Sequence, residues 1–154
     1  MSEFYISSGD FKEGEEIPKN CGYKHGNEKP KLIFEGIPGN SKSLALIMDD
    51  PDAMGAVGKV WVHWLVCNIT LHRPGELPSR FGTEVNVGIN GKTDFGEIGY
   101  GGPAPPDKRH TYIFKAYALD TALDLKEGYS KQELEDAMKD HIIAEAKLTG
   151  TYAP

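Results

Sequence analysis

Lys59-Val60-Trp61-Val62-His63-Trp64-Leu65-Val66-Cys67-Asn68-Ile69 is the stretch on which the fold turns. Read as a strand, it points Val60, Val62, Trp64 and Val66 one way and Trp61, His63, Leu65, Cys67 and Ile69 the other. Apolar residues on both faces mean a strand covered on both sides, hence a central one. Its β-branched and aromatic content favours strand over helix. One imidazole, His63, interrupts the apolar run.

Working outward, further strand signals flank this one. Upstream, Ser43 to Met48 is an apolar strand that runs into an acidic turn, Asp49-Asp50-Pro51-Asp52. Lys31 to Glu35 is a shorter strand, ended by Gly36-Ile37-Pro38-Gly39-Asn40. Residues 1–30 are polar and turn-rich after an apolar start at Phe4-Tyr5-Ile6. Downstream, 70–83 reads as a loop with Pro74, Gly75, Pro78 and Gly82, and Glu84 to Ile89 alternates weakly. His110 to Leu119 is a strand with Tyr112, Phe114, Ala116 and Ala118 on one face. Ser130-Lys131-Gln132-Glu133 is a capping box, with Ser130 as N-cap and Glu133 at N3. Leu134, Ala137, Met138, His141, Ile142 and Leu148 continue it as a helical stripe, predicting one helix from about Ser130 to Leu148 that Gly150 ends. Strands with long loops and one late helix read as a mainly β, antiparallel β-sandwich with a C-terminal helix, in a single domain over 1–154.

Composition excludes several function classes. The chain has 154 residues, 39% hydrophobic and 26% charged, with a formal net charge of −6. That size suits one sizeable core. The acidic balance and the absence of a basic stripe argue against nucleic acid. An anion site in such a chain must be a local pocket, because the long-range field repels anions. Cys21 and Cys67 have no CxxC spacing, so neither a metal site nor a disulfide follows, and Cys67 reads as a buried free thiol. The N-terminus lacks the features of a signal peptide, and no apolar run reaches spanning length. A cytoplasmic protein with reduced thiols and no integral membrane association is the expectation.

The chemistry-bearing residues lie at strand ends. Asp49-Asp50-Pro51-Asp52 is explained by a turn alone, yet Asp50 follows a strongly apolar strand and sits where burial begins. His63 needs a hydrogen-bond partner inside the sheet, and Asp50 is the expected one, fixing the tautomer and leaving the far nitrogen free. A satisfied core histidine and a ligand-binding one both use that pair. In Gly99-Tyr100-Gly101-Gly102-Pro103-Ala104-Pro105-Pro106, six of eight positions are glycine or proline. No GK[ST] follows, and no helix pattern, so the loop is neither a P-loop nor a dinucleotide fingerprint and implies no cofactor. The Gly101 and Gly102 amides suit an anionic oxygen, and a rigid structural loop is an equal reading. His110 and Tyr112 sit two apart and face the same side of their strand, where Tyr112 also fits the core beside Phe114.

Together these segments resemble the phosphatidylethanolamine-binding protein family, in its bacterial and archaeal Raf-kinase-inhibitor-like branch. The resemblance is carried by Leu44 to Ala53 with its Asp-Pro-Asp-Ala, by Val62 to Ile69, by the Gly99 to Pro106 loop, and by His110-Thr111-Tyr112. It extends over residues 31 to 150. It implies a larger antiparallel sheet against a smaller one, and a pocket for phosphate-like anions and lipid or nucleotide head groups. Carried residue by residue, the family's pocket falls on Asp50, Asp52, Trp61, His63, Gly102, Pro103, His110 and Tyr112. Met54 stands where the family usually has proline, so a cis-proline turn is not carried over. Ala104 stands where a cysteine is often seen, which excludes thiol chemistry there.

The sequence thus leads to a non-enzymatic protein that binds a small anionic ligand, phosphate or a phosphorylated head group. Asp50 is expected to orient His63, and His63, His110, Tyr112 and the loop amides to hold the anion. Modulation of a kinase or protease partner is implied by the family name only. The oligomeric state is unreadable, and a homodimer stays open. The rival is a hydrolase using the Asp/His cluster, for which no nucleophile or HExxH-type metal spacing stands out, so no bound metal is expected.

Overall fold

Eight consecutive buried residues, Ser43–Asp50, make strand β3, the middle of the larger sheet. Only a strand packed on both faces tolerates such a run. The structure is a computed structural model and describes residues 4–69, 83–84 and 88–154. Around β3 lie β1 (Tyr5–Ser8), β2 (Leu32–Glu35), β4 (Trp61–Ile69), β5 (Thr83–Glu84), β6 (Ile89–Asn90), β7 (His110–Leu119) and β8 (Ile142–Tyr152). The larger sheet has the order β6-β4-β3-β7-β8 and the smaller one β1-β2-β5. Every pairing between these strands is antiparallel. Of the expected loop at 70–83 and the weak alternation at 84–89, positions 70–82 and 85–87 lie outside the described residues.

The larger sheet is covered on both faces. On one, Leu44, Leu46, Met48, Trp64, Val66 and Phe114 pack with Ile6, Leu32 and Phe34 of the smaller sheet. On the other, Ala45, Ile47, Val62, Leu65 and Cys67 pack with Leu134 and Met138 of helix α2 (Lys131–Met138). The two-sided strand is therefore central, as its composition requires. A short helix α1 (Ala53–Val57) follows Pro51 and turns out at Gly58 in the left-handed region.

Two expectations about β4 and α2 are corrected. Strict alternation puts Val62 beside Trp64, but Val62 packs with Leu65 and Cys67. Met48 pairs with Trp64 and Asp49 with Val62, so His63 is an extra residue in the ladder, a bulge. A second irregularity at Asn68, with φ 53°, moves Ile69 to the Trp64 face. The capping box at Ser130 is present, with Glu133 N–H donating to Ser130 Oγ and Ser130 N–H to Glu133 Oε1. The helix nevertheless ends at Met138, and Ile142 to Leu148 belong to β8 rather than to a helical stripe. Asp140 turns the chain in the left-handed region, and β8 then pairs with β7 from Leu119↔Ile142 to His110↔Tyr152. Ala-Glu-Ala-Lys favours helix locally, but the long β7 ladder overrides that weak preference.

Candidate functional site

Strand alternation separates the clustered aspartates. Asp49 and Asp50 face opposite sides at the end of β3. Asp49 Oδ2 accepts from Lys115 Nζ and Lys131 Nζ, each at 3.1 Å, on the α2 side. Asp50 faces the other side, where its Oδ2 accepts from His110 Nδ1 at 2.6 Å. Asp52, past the proline, accepts from the Thr111 amide at 2.8 Å. Each carboxylate thus has its own donor, which relieves the mutual repulsion of three neighbours.

The bulge at His63 aims its ring at the same side as Asp50 and His110. His63 stacks edge-on against Tyr112 at 5.1 Å and Phe95 at 5.5 Å between ring centroids. Trp61 meets Phe95 edge-on at 5.6 Å, and Tyr23 stacks flat on the other side of Phe95. Between these rings and α1 opens a cavity of about 120 Å³. Asp50, Trp61, His63, Phe95 and His110 line it, with Ala53, Ala56 and Val57 from α1 and Ala104 and Pro106 from the loop.

Hydrogen positions follow from the partners. His63 Nδ1 lies 2.7 Å from the Gly101 carbonyl, which only accepts, so Nδ1 carries the hydrogen. Burial lowers the His63 pKa against the opposing pull of that carbonyl and of Asp50, so the ring is neutral and Nε2 is a bare acceptor. His110 is the reverse case. Its Nδ1 donates to Asp50 and its Nε2 to Asp107 Oδ1, at 2.6 and 2.7 Å. Both nitrogens face carboxylates, so both carry hydrogens. Burial opposes the charge, but the two aspartates outweigh it and the His110 pKa is raised. Tyr112 is pushed up by burial and by the charge of Asp50.

The sequence reading pairs Asp50 with His63, and the structure corrects this, giving Asp50 to His110 and His63 to the loop carbonyl. The bulge is the reason, since it turns His63 toward Gly101. The loop amides expected to cradle an anion are also engaged. Gly101 N–H donates to the His63 carbonyl at 2.8 Å, and Gly102 N–H to Asn27 Oδ1 at 2.7 Å.

A family model described as phosphatidylethanolamine-binding protein matches residues 7–153. The chain belongs to the phosphatidylethanolamine-binding protein family. A UPF0098 protein of Methanothermobacter thermautotrophicus is 45% identical over 135 residues, covering 82% of this chain and 83% of the relative. One from Chlamydia muridarum is 40% identical over 150 residues, covering 96% and 97%. A Chlamydia trachomatis structure described as a phosphatidylethanolamine-binding protein homologue has a TM-score of 0.85 at 36% identity, covering 99% of this chain and 98% of its own. Escherichia coli YbcL, described as a member of the mammalian family, has a TM-score of 0.80 at 34% identity, covering 98% of each chain.

Of the positions matched to the family's pocket, Asp50, Trp61, His63 and His110 line one cavity. Tyr112 lies buried beneath it, between the two histidine rings. Asp52, Gly102 and Pro103 do not line it. Asp52 holds the start of β7, and Gly102 and Pro103 pack the loop onto the Cys21–Tyr23 turn, where the Pro103 carbonyl accepts from Tyr23 N–H. Phe95, α1 and Asp107 were missed by the sequence reading. Phe95 stands alone in a polar loop, and Asp107 precedes His110 by three positions; each is a signal that only partners in space make readable. Among the described residues no group of three or more His, Cys, Asp or Glu is arranged to hold a metal ion. Nor is any helix among them long and apolar enough to cross a membrane.

Proposed function

We propose that the chain is a binding protein with no catalytic step of its own. Its cavity takes a small phosphate-like group or the phosphate-bearing head group of a phospholipid or nucleotide. One observation carries this reading. Asp50 Oδ1, Trp61 Nε1 and Tyr112 OH are buried and make no well-formed hydrogen bond to the described residues, Tyr112 OH lying close to the Asp50 carboxylate and the Ala104 backbone without completing one. Asp50 and Trp61 line the cavity, and Tyr112 lies directly under it. Leaving such groups unpaired costs about 1–3 kcal/mol each, and native proteins rarely leave several together. A phosphoryl group supplies acceptor oxygens for Trp61 and Tyr112. A hydroxyl or ammonium on the same head group supplies donors for Asp50 Oδ1 and His63 Nε2. The family's name supports the same class of ligand.

The hydrolase reading is weaker on chemistry. Among the described residues the cavity lining holds no serine, threonine or cysteine to act as nucleophile. Both His110 nitrogens are bonded to carboxylates, which leaves no lone pair for a metal. Cys21 is buried behind the loop, and burial pushes its thiol up to about 11. A kinase or protease partner would meet the outer face of α1 beside the cavity, where Met54 and Val57 are exposed.

The test is titration with inorganic phosphate and phosphoethanolamine, followed by tryptophan fluorescence and by calorimetry. Trp61 borders the cavity, so its emission responds and the response disappears in Trp61→Phe, while calorimetry still reads binding. Absence of binding at millimolar ligand by both methods would remove this reading.

A further inference from the structure

The Asp50–His110–Asp107 cluster is at odds with a simple anion site. Two carboxylates face one imidazolium, so the cluster keeps a net negative charge. Among the described residues no lysine or arginine lines the cavity, and His110 is the one positively charged side chain they place in its wall. That charge is already spent on both nitrogens. An incoming anion would meet a wall that repels it, and the attractive Nε2 hydrogen is blocked.

The two carboxylates are held differently. The Asp50 side chain is 4% exposed at the end of a fully buried strand. The Asp107 side chain is 42% exposed, in the turn that follows the cavity-lining Pro106. Among the described residues its other side-chain bond is a local one, from the Lys108 amide to the same oxygen. Asp50 is therefore fixed and Asp107 is free to swing into water. Deep burial gives the imidazolium a reason to keep a second anion, and Asp107 supplies it.

We propose that Asp107 is an internal stand-in for the ligand's anionic group, and that a ligand enters by displacing its carboxylate from His110 Nε2. This rests on the anion-binding reading above and deepens it. The exchange swaps one anionic group for another, so the buried imidazolium keeps two anionic partners and a singly charged ligand leaves the cluster's net charge unchanged. It also sets a specificity. A simple carboxylate replaces Asp107 like for like while competing against a tethered rival at high effective concentration. A tetrahedral oxyanion has further oxygens for Trp61 Nε1 and Tyr112 OH, and these contacts let it win. The site therefore favours phosphoryl groups over monocarboxylates such as acetate.

The experiment compares inorganic phosphate and acetate binding to wild type, Asp107→Asn and Asp107→Ala by calorimetry at pH 6, at low and at moderate salt. Asp107 is a surface side chain, so both variants should fold, as far-UV spectra will verify. Phosphate is expected to bind Asp107→Ala about tenfold tighter than wild type. The gain should persist at moderate salt, because screening removes long-range repulsion but not competition for one hydrogen. Acetate should bind Asp107→Ala measurably and wild type far more weakly. A crystal of wild type soaked in phosphate should show an oxyanion on His110 Nε2 and Asp107 turned outward. Wild type binding phosphate while Asp107→Ala binds it no tighter would overturn the stand-in and leave the anion pocket intact. So would phosphate bound with the Asp107–His110 bond in place, or a gain abolished by salt. Failure of all three proteins to bind phosphate would overturn the pocket and the stand-in together.

Discussion

His110 Nδ1 donates to Asp50 Oδ2 across 2.6 Å and so joins the first residue of β7 to the last residue of β3. Both side chains are almost wholly buried. The pair ties together the cavity ends of two interior strands and fixes the His110 ring there. It also makes His110 the charged histidine of the site, while His63, on β4 across β3, is kept neutral by burial. The two rings thus present opposite chemistry within one small space.

The pair predicts how stability depends on pH. His110 has a raised folded pKa, so its contribution is fully present below the unfolded value of about 6.5 and is lost as pH rises through the folded one. His63 has a lowered folded pKa, so its contribution is present above about 6.5 and is lost as pH falls through the folded value. Asp50→Ala should weaken the first effect, leaving Asp107 as the remaining carboxylate on His110, and cost roughly 1–3 kcal/mol, since it removes one charge-assisted partner of a buried imidazolium. Urea unfolding of wild type and Asp50→Ala between pH 5 and 9 measures both. The variant is expected to lose most stability at low pH, where His110 is charged in either state. An equal loss at every pH would show that the ion pair is not the cause.

Tyr112→Phe separates binding from folding. The Tyr112 hydroxyl is buried and makes no well-formed hydrogen bond to the described residues. Deleting an unsatisfied polar atom removes a desolvation penalty and keeps the ring contacts with His63. The variant should be as stable as wild type or slightly more so, yet bind phosphate several-fold more weakly. A fall in melting temperature with unchanged binding would give the hydroxyl a structural role instead.

Much of this was readable from the chain. Alternation and β-branching disclosed β3, β4 and β7, and the capping box disclosed the start of α2, because these signals are local. The pairing at the site was not local. Whether Asp50 meets His63 or His110 depends on one extra residue in β4, and no residue type at 62–64 announces that bulge. The length of α2 was misread for a related reason. Ile142 to Leu148 can be patterned as helix or strand, and the ten-residue β7 alongside decides it. The Gly99–Pro106 run is recognisable as special, but its Gly101 and Gly102 amides hold the loop in place rather than a ligand.

Gly102→Ala tests that packing role. A Cβ at Gly102 would run into the Cys21 carbonyl and crowd the Tyr23 amide, both backbone atoms that cannot swing aside. Overpacking of this kind costs about 1–3 kcal/mol. The loop should lift from the Cys21–Tyr23 turn, breaking the bond from Gly102 N–H to Asn27. A lowered melting temperature and shifted Asn27 side-chain NMR signals are expected. An unchanged melting temperature would mean that the loop has slack the close contact does not suggest.

His63→Ala is the most direct test of the cavity. Its Nδ1 hydrogen is committed to Gly101, and Nε2 makes no bond to the described residues. A ligand hydroxyl or ammonium donating to Nε2 contributes about 1–1.5 kcal/mol for a neutral acceptor. Removing the ring should therefore weaken phosphoethanolamine binding about tenfold, since 1.4 kcal/mol is a factor of ten. The substitution also removes the edge-on contacts with Tyr112 and Phe95, so some stability is lost as well. His63→Gln controls for this, because its amide can still donate toward Gly101 while filling more of the space. If Nε2 matters as an acceptor, both variants bind weakly and only the alanine variant loses substantial stability. If binding instead tracks stability, recovering in His63→Gln, the ring serves to shape the wall and the ligand takes its hydrogen bonds from Asp50, Trp61 and Tyr112.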